Sequence, residues 1–274
     1  MDTRSRKTFS GVIAPVVTPF DAASGDLAAD AFRGNLRAHF ERGASGVLLC
    51  GSTGEAALLD ESERDTLVEW ARPIVPADRW LLAGVGGEST RLTTARARRA
   101  AERGADAVLV VAPHYYGTAM TPDVLGAHYR AVADASPVPV LLYNIPKYMH
   151  FPLDVGLVRD LAAHPNIVGI KDSSGDLELL RGYLASQSDT FAVLTGNGGT
   201  FLTALESGAA GGILAVSLLA GELSVAVWQA FHAGDRARAT ALQLQLTPLS
   251  NEIVGGMGVP GVKAAMDQVG RGLT

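Results

Sequence analysis

Eight short runs of apolar, largely aliphatic residues recur along the chain, each followed by a polar turn and then a longer segment of helical periodicity. They occupy residues 12–17, 46–50, 80–85, 107–111, 138–143, 167–171, 191–195 and 212–216. The segments between them, at 28–41, 61–72, 91–103, 122–135, 155–163, 177–187 and 201–207, are rich in alanine, leucine, arginine and glutamate, which helices favour. The runs are continuous, not alternating, which is the pattern of a sheet buried on both faces. Eight βα units in series predict an α/β chain closed into a (β/α)8 TIM barrel. A doubly wound open sheet would carry a glycine fingerprint after its first strand; Phe20-Asp-Ala-Ala-Ser-Gly25 does not match it.

Further helical segments around 225–232, 235–249 and 262–269 exceed what a minimal barrel needs. They predict a C-terminal helical extension. The expected division is a (β/α)8 barrel over residues 1–220 with helices over 221–274 packed on it, a single domain overall. A length of 274 residues suits one such unit. Apolar residues at 47% and charged residues at 19% supply a core and exclude disorder.

A net charge of -5 with no lysine or arginine run argues against a nucleic-acid partner. The longest apolar stretch, residues 208–221, is glycine-rich and shorter than the roughly 18 residues a spanning helix needs. The polar start at residues 1–7 lacks the apolar region of a signal peptide. A soluble cytoplasmic protein with no membrane partner is expected. Cys50 is the single cysteine, which excludes an internal disulfide and a cysteine-rich metal site. The six histidines show no H-x-x-x-H spacing and no acidic partners at strand ends, so no metal is expected.

In a barrel the chemistry sits at the C-terminal ends of the strands. The second run ends in Gly51-Ser-Thr-Gly-Glu55, whose glycines permit a tight turn and whose N–H and hydroxyl groups could hold a carboxylate or phosphate. A plain turn with a capping hydroxyl reads equally well from it. The fourth and fifth runs end in Pro113-His-Tyr-Tyr116 and Tyr143-Asn-Ile-Pro146. A tyrosine there either packs or relays a proton through a hydrogen-bonded hydroxyl. The sixth run carries apolar residues into Lys171, in a chain with four lysines against nineteen arginines. A lysine at the end of a buried strand is costly unless paired or neutral, and desolvation favours the neutral, nucleophilic amine. An ion pair with Asp172 or another acid is the alternative. The seventh run leads into glycine-rich Gly196-Asn-Gly-Gly199 and the eighth carries Gly212-Ile-Leu-Ala215, either tight turns or close approaches to a ligand.

Together these junctions resemble the dihydrodipicolinate synthase / N-acetylneuraminate lyase family of pyruvate-dependent class I aldolases. The resemblance spans nearly the whole chain and includes the late Gly258-Val-Pro-Gly-Val-Lys263. It implies a barrel with C-terminal helices, homotetrameric assembly, and catalysis through a covalent lysine imine without a cofactor. By position, Lys171 would form the Schiff base with a 2-oxo acid, and Tyr143 would relay the proton. Ser52 and Thr53 would hold the carboxylate, Ser52 also serving the relay. Tyr115 matches a tyrosine inserted into a neighbouring subunit's site, and Gly196 and Ile213 match positions lining the pocket.

Relatives that make dihydrodipicolinate carry an arginine two residues after the proline of Tyr-Asn-x-Pro, and here that place holds Tyr148. Lys147 beside it lacks the bidentate fork of a guanidinium. Other stretches are similar to the 4-hydroxy-2-oxoglutarate aldolase branch: His164-Pro-Asn-Ile-Val-Gly169 and Lys171-Asp-Ser-Ser-Gly-Asp176, where Ser173 is a further site candidate. The resemblance thus implies a lyase that cleaves a 4-hydroxy-2-oxo acid to pyruvate and an aldehyde. Its alternatives are a 4-hydroxy-tetrahydrodipicolinate synthase and a non-catalytic 2-oxo-acid-binding protein.

Overall fold

A computed structural model describes residues 9–270; the polar start at 1–7 and the end of the expected extension at 271–274 lie outside the described residues. Parallel strands β1 (Gly11–Pro15), β2 (Gly46–Leu49), β3 (Trp80–Gly84), β4 (Ala107–Val111), β5 (Val140–Asn144), β6 (Ile167–Asp172), β7 (Ala192–Thr195) and β8 (Gly211–Ile213) follow one another around a closed barrel. Pairing of β1 with β8, Val12 opposite Gly212 and Ile13 opposite Ile213, closes it. The continuous apolar runs therefore have the predicted cause: one face of each strand fills the barrel and the other meets the helical ring.

The ring consists of α1 (Ala29–Glu41), α2 (Glu61–Ala71), α3 (Thr90–Glu102), α4 (Pro122–Ala135), α5 (Pro146–Met149), α6 (Val155–Ala162), α7 (Leu177–Leu184) and α8 (Phe201–Glu206). Their starts are set locally. Asp60 accepts the Glu63 N–H at 2.8 Å while the Glu63 carboxylate accepts the Asp60 N–H at 2.8 Å, a reciprocal cap for α2. Asp154 accepts the Leu157 N–H and Asp176 those of Glu178 and Leu179, one-way caps for α6 and α7. Glu61, Asp65 and Glu69 lie one turn apart along α2 and pair with Arg96 of α3 and with Arg99 and Arg103 beside it. This ladder fastens neighbouring helices over β2 and β3.

Beyond the barrel come α9 (Gly221–His232), α10 (Arg236–Pro248), a π-helical segment (Leu249–Met257) and α11 (Gly258–Gln268). The sequence predicts a break between 249 and 262; Gly258, at φ 65° and ψ -155°, supplies one, but the chain up to it stays helical, widening directly after Pro248. Proline has no N–H to give and crowds the preceding turn, so the register shifts there. Pro260 lies in the first turn of α11, where a missing N–H costs nothing. Val12, Phe201, Leu214, Val227 and Leu246 form a second apolar cluster that seats the extension on the barrel.

The strand ends depart from expectation in both directions: β1, β2 and β3 stop at Pro15, Leu49 and Gly84, short of the expected ends. β5 and β6 each run one residue further, into polar Asn144 and Asp172. β8 stops at Ile213 and gives way to a 3-10 turn at Ala215–Leu218, where Ser217 Oγ donates to the Leu214 carbonyl at 2.7 Å. Among the described residues, no helix is long and apolar enough to cross a membrane.

Candidate active site

Lys171 lies in β6 opposite Tyr143 of β5 on one side and Leu194 of β7 on the other. It is 4% exposed, and its Nζ lies 4.4 Å from the centroid of the Tyr143 ring. Strand alternation sends Asp172 to the opposite face. There Asp172 Oδ1 accepts from Asn144 Nδ2 at 2.7 Å and from the Ser174 N–H at 3.1 Å, and Oδ2 accepts from Ser174 Oγ at 2.8 Å. Burial pushes the Asp172 carboxyl above its ordinary value, opposed by these hydrogen bonds. The ion pair of Lys171 with Asp172, the alternative left open by the sequence, does not form. Among the described residues no carboxylate pairs with this amine.

Asn144 extends the supporting layer. Its Oδ1 accepts the Leu153 N–H at 2.9 Å, and the Leu153 carbonyl accepts from the buried Tyr183 hydroxyl at 2.6 Å. A buried polar chain thus runs behind the lysine from α7 to β6. Such chains are rigid when every member is satisfied.

The Tyr143 hydroxyl lies 3.4 Å from Ser52 Oγ. This is long for a hydroxyl pair. Ser52 and Thr53 sit half-buried on the loop after β2. Cys50 enters that loop with a left-handed φ of 51°, and Glu55 leaves it at 57°. Thr18 Oγ1 donates to the Gly54 carbonyl at 2.7 Å and pins the turn from below. The Cys50 thiol is buried and pushed up to about 11, so it contributes packing and no nucleophile at neutral pH.

Opposite Lys171, Gly196 follows β7 with its N–H donating to the Asp172 carbonyl at 2.6 Å. A Cβ there would overlap Ser173 Oγ and lie 3.1 Å from Lys171 Cε, so the glycine, the serine and the lysine meet at one point. Ile213 is fully buried at the end of β8. Lys171, Tyr143 and Ser52 are thereby linked by contacts, and Ser173 and Gly196 crowd the stem of the same lysine.

Two candidates stand apart. Tyr115 is 77% exposed after β4, its ring edge-on to Tyr116 at 4.9 Å. Tyr148 is 42% exposed on α5, with Lys147 Nζ 5.9 Å from its ring centroid. The Glu88 carboxylate accepts the His114 and Tyr115 N–H groups at 3.0 and 2.9 Å, which fixes the base of the Tyr115 loop. Sequence reasoning passed over Glu88, Thr18, Asn144 and Gln243, whose Nε2 donates to the Gly198 carbonyl at 2.9 Å. Only the polar residue Asn144 at a strand end offered a signal.

A family model described as the dihydrodipicolinate synthetase family matches residues 8–273. A 4-hydroxy-tetrahydrodipicolinate synthase of Exiguobacterium sp. is 32% identical over 262 residues, 96% of this chain and 88% of that one. An uncharacterized DapA-like lyase of Halobacterium salinarum is 38% identical over 256 residues, 93% of this chain and 83% of that one. Among solved structures, a dihydrodipicolinate synthase from Bacillus anthracis superposes with a TM-score of 0.92 at 28% identity, covering 97% of this chain and 90% of that one. A prophage protein of the dihydrodipicolinic acid synthase family from E. coli K12, in complex with pyruvate, gives 0.90 at 30% identity, covering 96% and 89%. With a match along nearly its whole length and a shared barrel, the chain belongs to the dihydrodipicolinate synthetase family and is a lyase.

Proposed function

We propose that this lyase cleaves 4-hydroxy-2-oxoglutarate, or a similar 4-hydroxy-2-oxo acid, to pyruvate and an aldehyde through an imine on Lys171. The carrying observation is the buried amine of Lys171, with no carboxylate partner among the described residues, over the ring of Tyr143. Its Nζ attacks the 2-keto carbon, and loss of water leaves a protonated imine. The bond between C3 and C4 then breaks. Its electron pair moves into the imine to give an enamine, and the 4-hydroxyl proton passes to the Tyr143–Ser52 pair as the aldehyde leaves. Protonation at C3 and hydrolysis return the amine and release pyruvate. The imine is the electron sink, so the cycle calls on no cofactor.

In this reading Ser52 and Thr53 bind the substrate carboxylate, and Gly196, Ile213 and Ser173 shape the pocket. Tyr148 borders the aldehyde half. Tyr115, held out from its own chain, serves the site of a neighbouring copy in a homotetramer. The E. coli relative in complex with pyruvate supports the same keto-acid half here. The test is pyruvate release from 4-hydroxy-2-oxoglutarate coupled to NADH oxidation, with Lys171→Ala as control. Turnover by the wild type alone is expected.

A second reading, condensation of pyruvate with aspartate semialdehyde, is favoured by the names of several relatives, the Exiguobacterium synthase among them. Tyr148 in place of the family's arginine weighs against it. Formation of the condensation product at a higher kcat/KM than the cleavage would decide for the synthase.

A further inference from the structure

We propose that Lys263 and Glu55 form a positioning pair through which the C-terminal helix α11 sets the shape of the loop at 51–55 and so the affinity for the keto acid. The consequence for affinity rests on the Schiff-base reading; the effect on the loop does not. Glu55 takes a left-handed φ of 57°, a conformation that a residue with a side chain keeps only when its surroundings hold it. Its N–H donates to the Ser52 carbonyl at 3.1 Å, so the same turn fixes Ser52.

The Glu55 carboxylate is ion-paired with Lys263, and the ammonium lies 4.9 Å from the centroid of the Phe20 ring. The two side chains are only 21% and 23% exposed. An ammonium enclosed between a carboxylate and an aromatic face is better shielded from water than a surface pair. Lysine is rare in this chain, four against nineteen arginines. A compact ammonium fits between Phe20 and Glu55 without the width of a guanidinium. The extension also grips the facing loop. Gln243 Nε2 donates to the carbonyls of Gly198 and Gly199 at 2.9 and 3.2 Å, and Thr247 Oγ1 donates to that of Gly199 at 3.2 Å. Two loops bordering Lys171 are therefore braced from outside the barrel.

The test compares wild type, Lys263→Met and Glu55→Gln by amide hydrogen exchange and by borohydride trapping across a range of pyruvate concentrations. Exchange over residues 50–58 is expected to quicken about tenfold in both variants while the barrel strands keep their protection. Half-saturating pyruvate is expected to rise about tenfold, with full trapping at saturation. The exchanged pair Glu55→Lys with Lys263→Glu is expected to recover part of both. Wild-type exchange over 50–58 in the two single variants would overturn the proposal. A wild type that traps no pyruvate would overturn the Schiff-base reading instead, and loop exchange would still decide the pair.

Discussion

Lys171 and Tyr143 face each other in register across β5 and β6, with the amine 4.4 Å from the ring centroid. The relationship follows from barrel construction. Neighbouring strands place residues of equal height side by side, and alternation turns both inward. An amine and a hydroxyl-bearing ring are thus presented together on rigid elements, while Asn144 and Asp172, one position later, close the wall behind them. Precision of this kind is what proximity catalysis requires.

Removing the amine should remove the covalent chemistry and little else. Lys171→Ala is expected to give no adduct with pyruvate and borohydride by intact mass. Its melting temperature should stay within roughly a few degrees of wild type, because among the described residues the Lys171 side chain makes no hydrogen bond to the barrel. An adduct of undiminished yield would place the imine on another lysine.

Tyr143→Phe separates imine formation from proton transfer. The ring still packs beside Lys171, so trapping of pyruvate should survive. Turnover of the aldol substrate should fall about 10²- to 10⁴-fold, the usual worth of a positioned acid or base. Ser52→Ala, which shortens the relay and leaves the tyrosine, should cost about tenfold. Equal losses of trapping and turnover in Tyr143→Phe would instead make the tyrosine a packing residue.

The barrel was legible because strands buried on both faces leave continuous apolar runs, and no other common architecture repeats them eight times. The ends were less so. Asn144 and Asp172 look like the start of a loop, yet the backbone ladder holds them in the strands, the Ser173 N–H donating to the Asn144 carbonyl at 2.8 Å and the Gly196 N–H to the Asp172 carbonyl at 2.6 Å. The π-helical segment was hidden behind Pro248, Gly255 and Gly256, which locally argue for a break. Lys171 stood out as a rare charge in an apolar run. Gln243 and Thr247 did not, because they act on the carbonyls of a loop more than forty positions away, a relation that no local pattern encodes.

Gly196 is a test of crowding. Gly196→Ala would drive a methyl into Ser173 Oγ and toward Lys171 Cε. Ser173 can rotate, so stability should fall by only about 1 kcal/mol. The displaced lysine should form its imine about a hundredfold more slowly. Adding Ser173→Gly to that variant opens the space and should restore much of the rate. A fast imine in Gly196→Ala alone would show that the lysine reaches its substrate by another path.

His128 gives a prediction about pH. It is buried on α4, its Nδ1 2.9 Å from Thr90 Oγ1, and burial pulls its pKa from an ordinary 6.5 down to about 4. The folded ring therefore resists a proton that the unfolded chain accepts. Between these two values the unfolded state binds more protons, and stability must fall as pH falls. Above 6.5 the contribution is complete; below about 4 no more is lost. The depression corresponds to about 3 kcal/mol at 1.36 kcal/mol per unit. His128→Gln keeps a partner for Thr90 and cannot titrate. Urea unfolding at pH 7 and pH 4.5 should show wild type losing roughly 2–3 kcal/mol more than the variant across that interval. Parallel losses in the two proteins would mean that the ring titrates in the fold as it does in water.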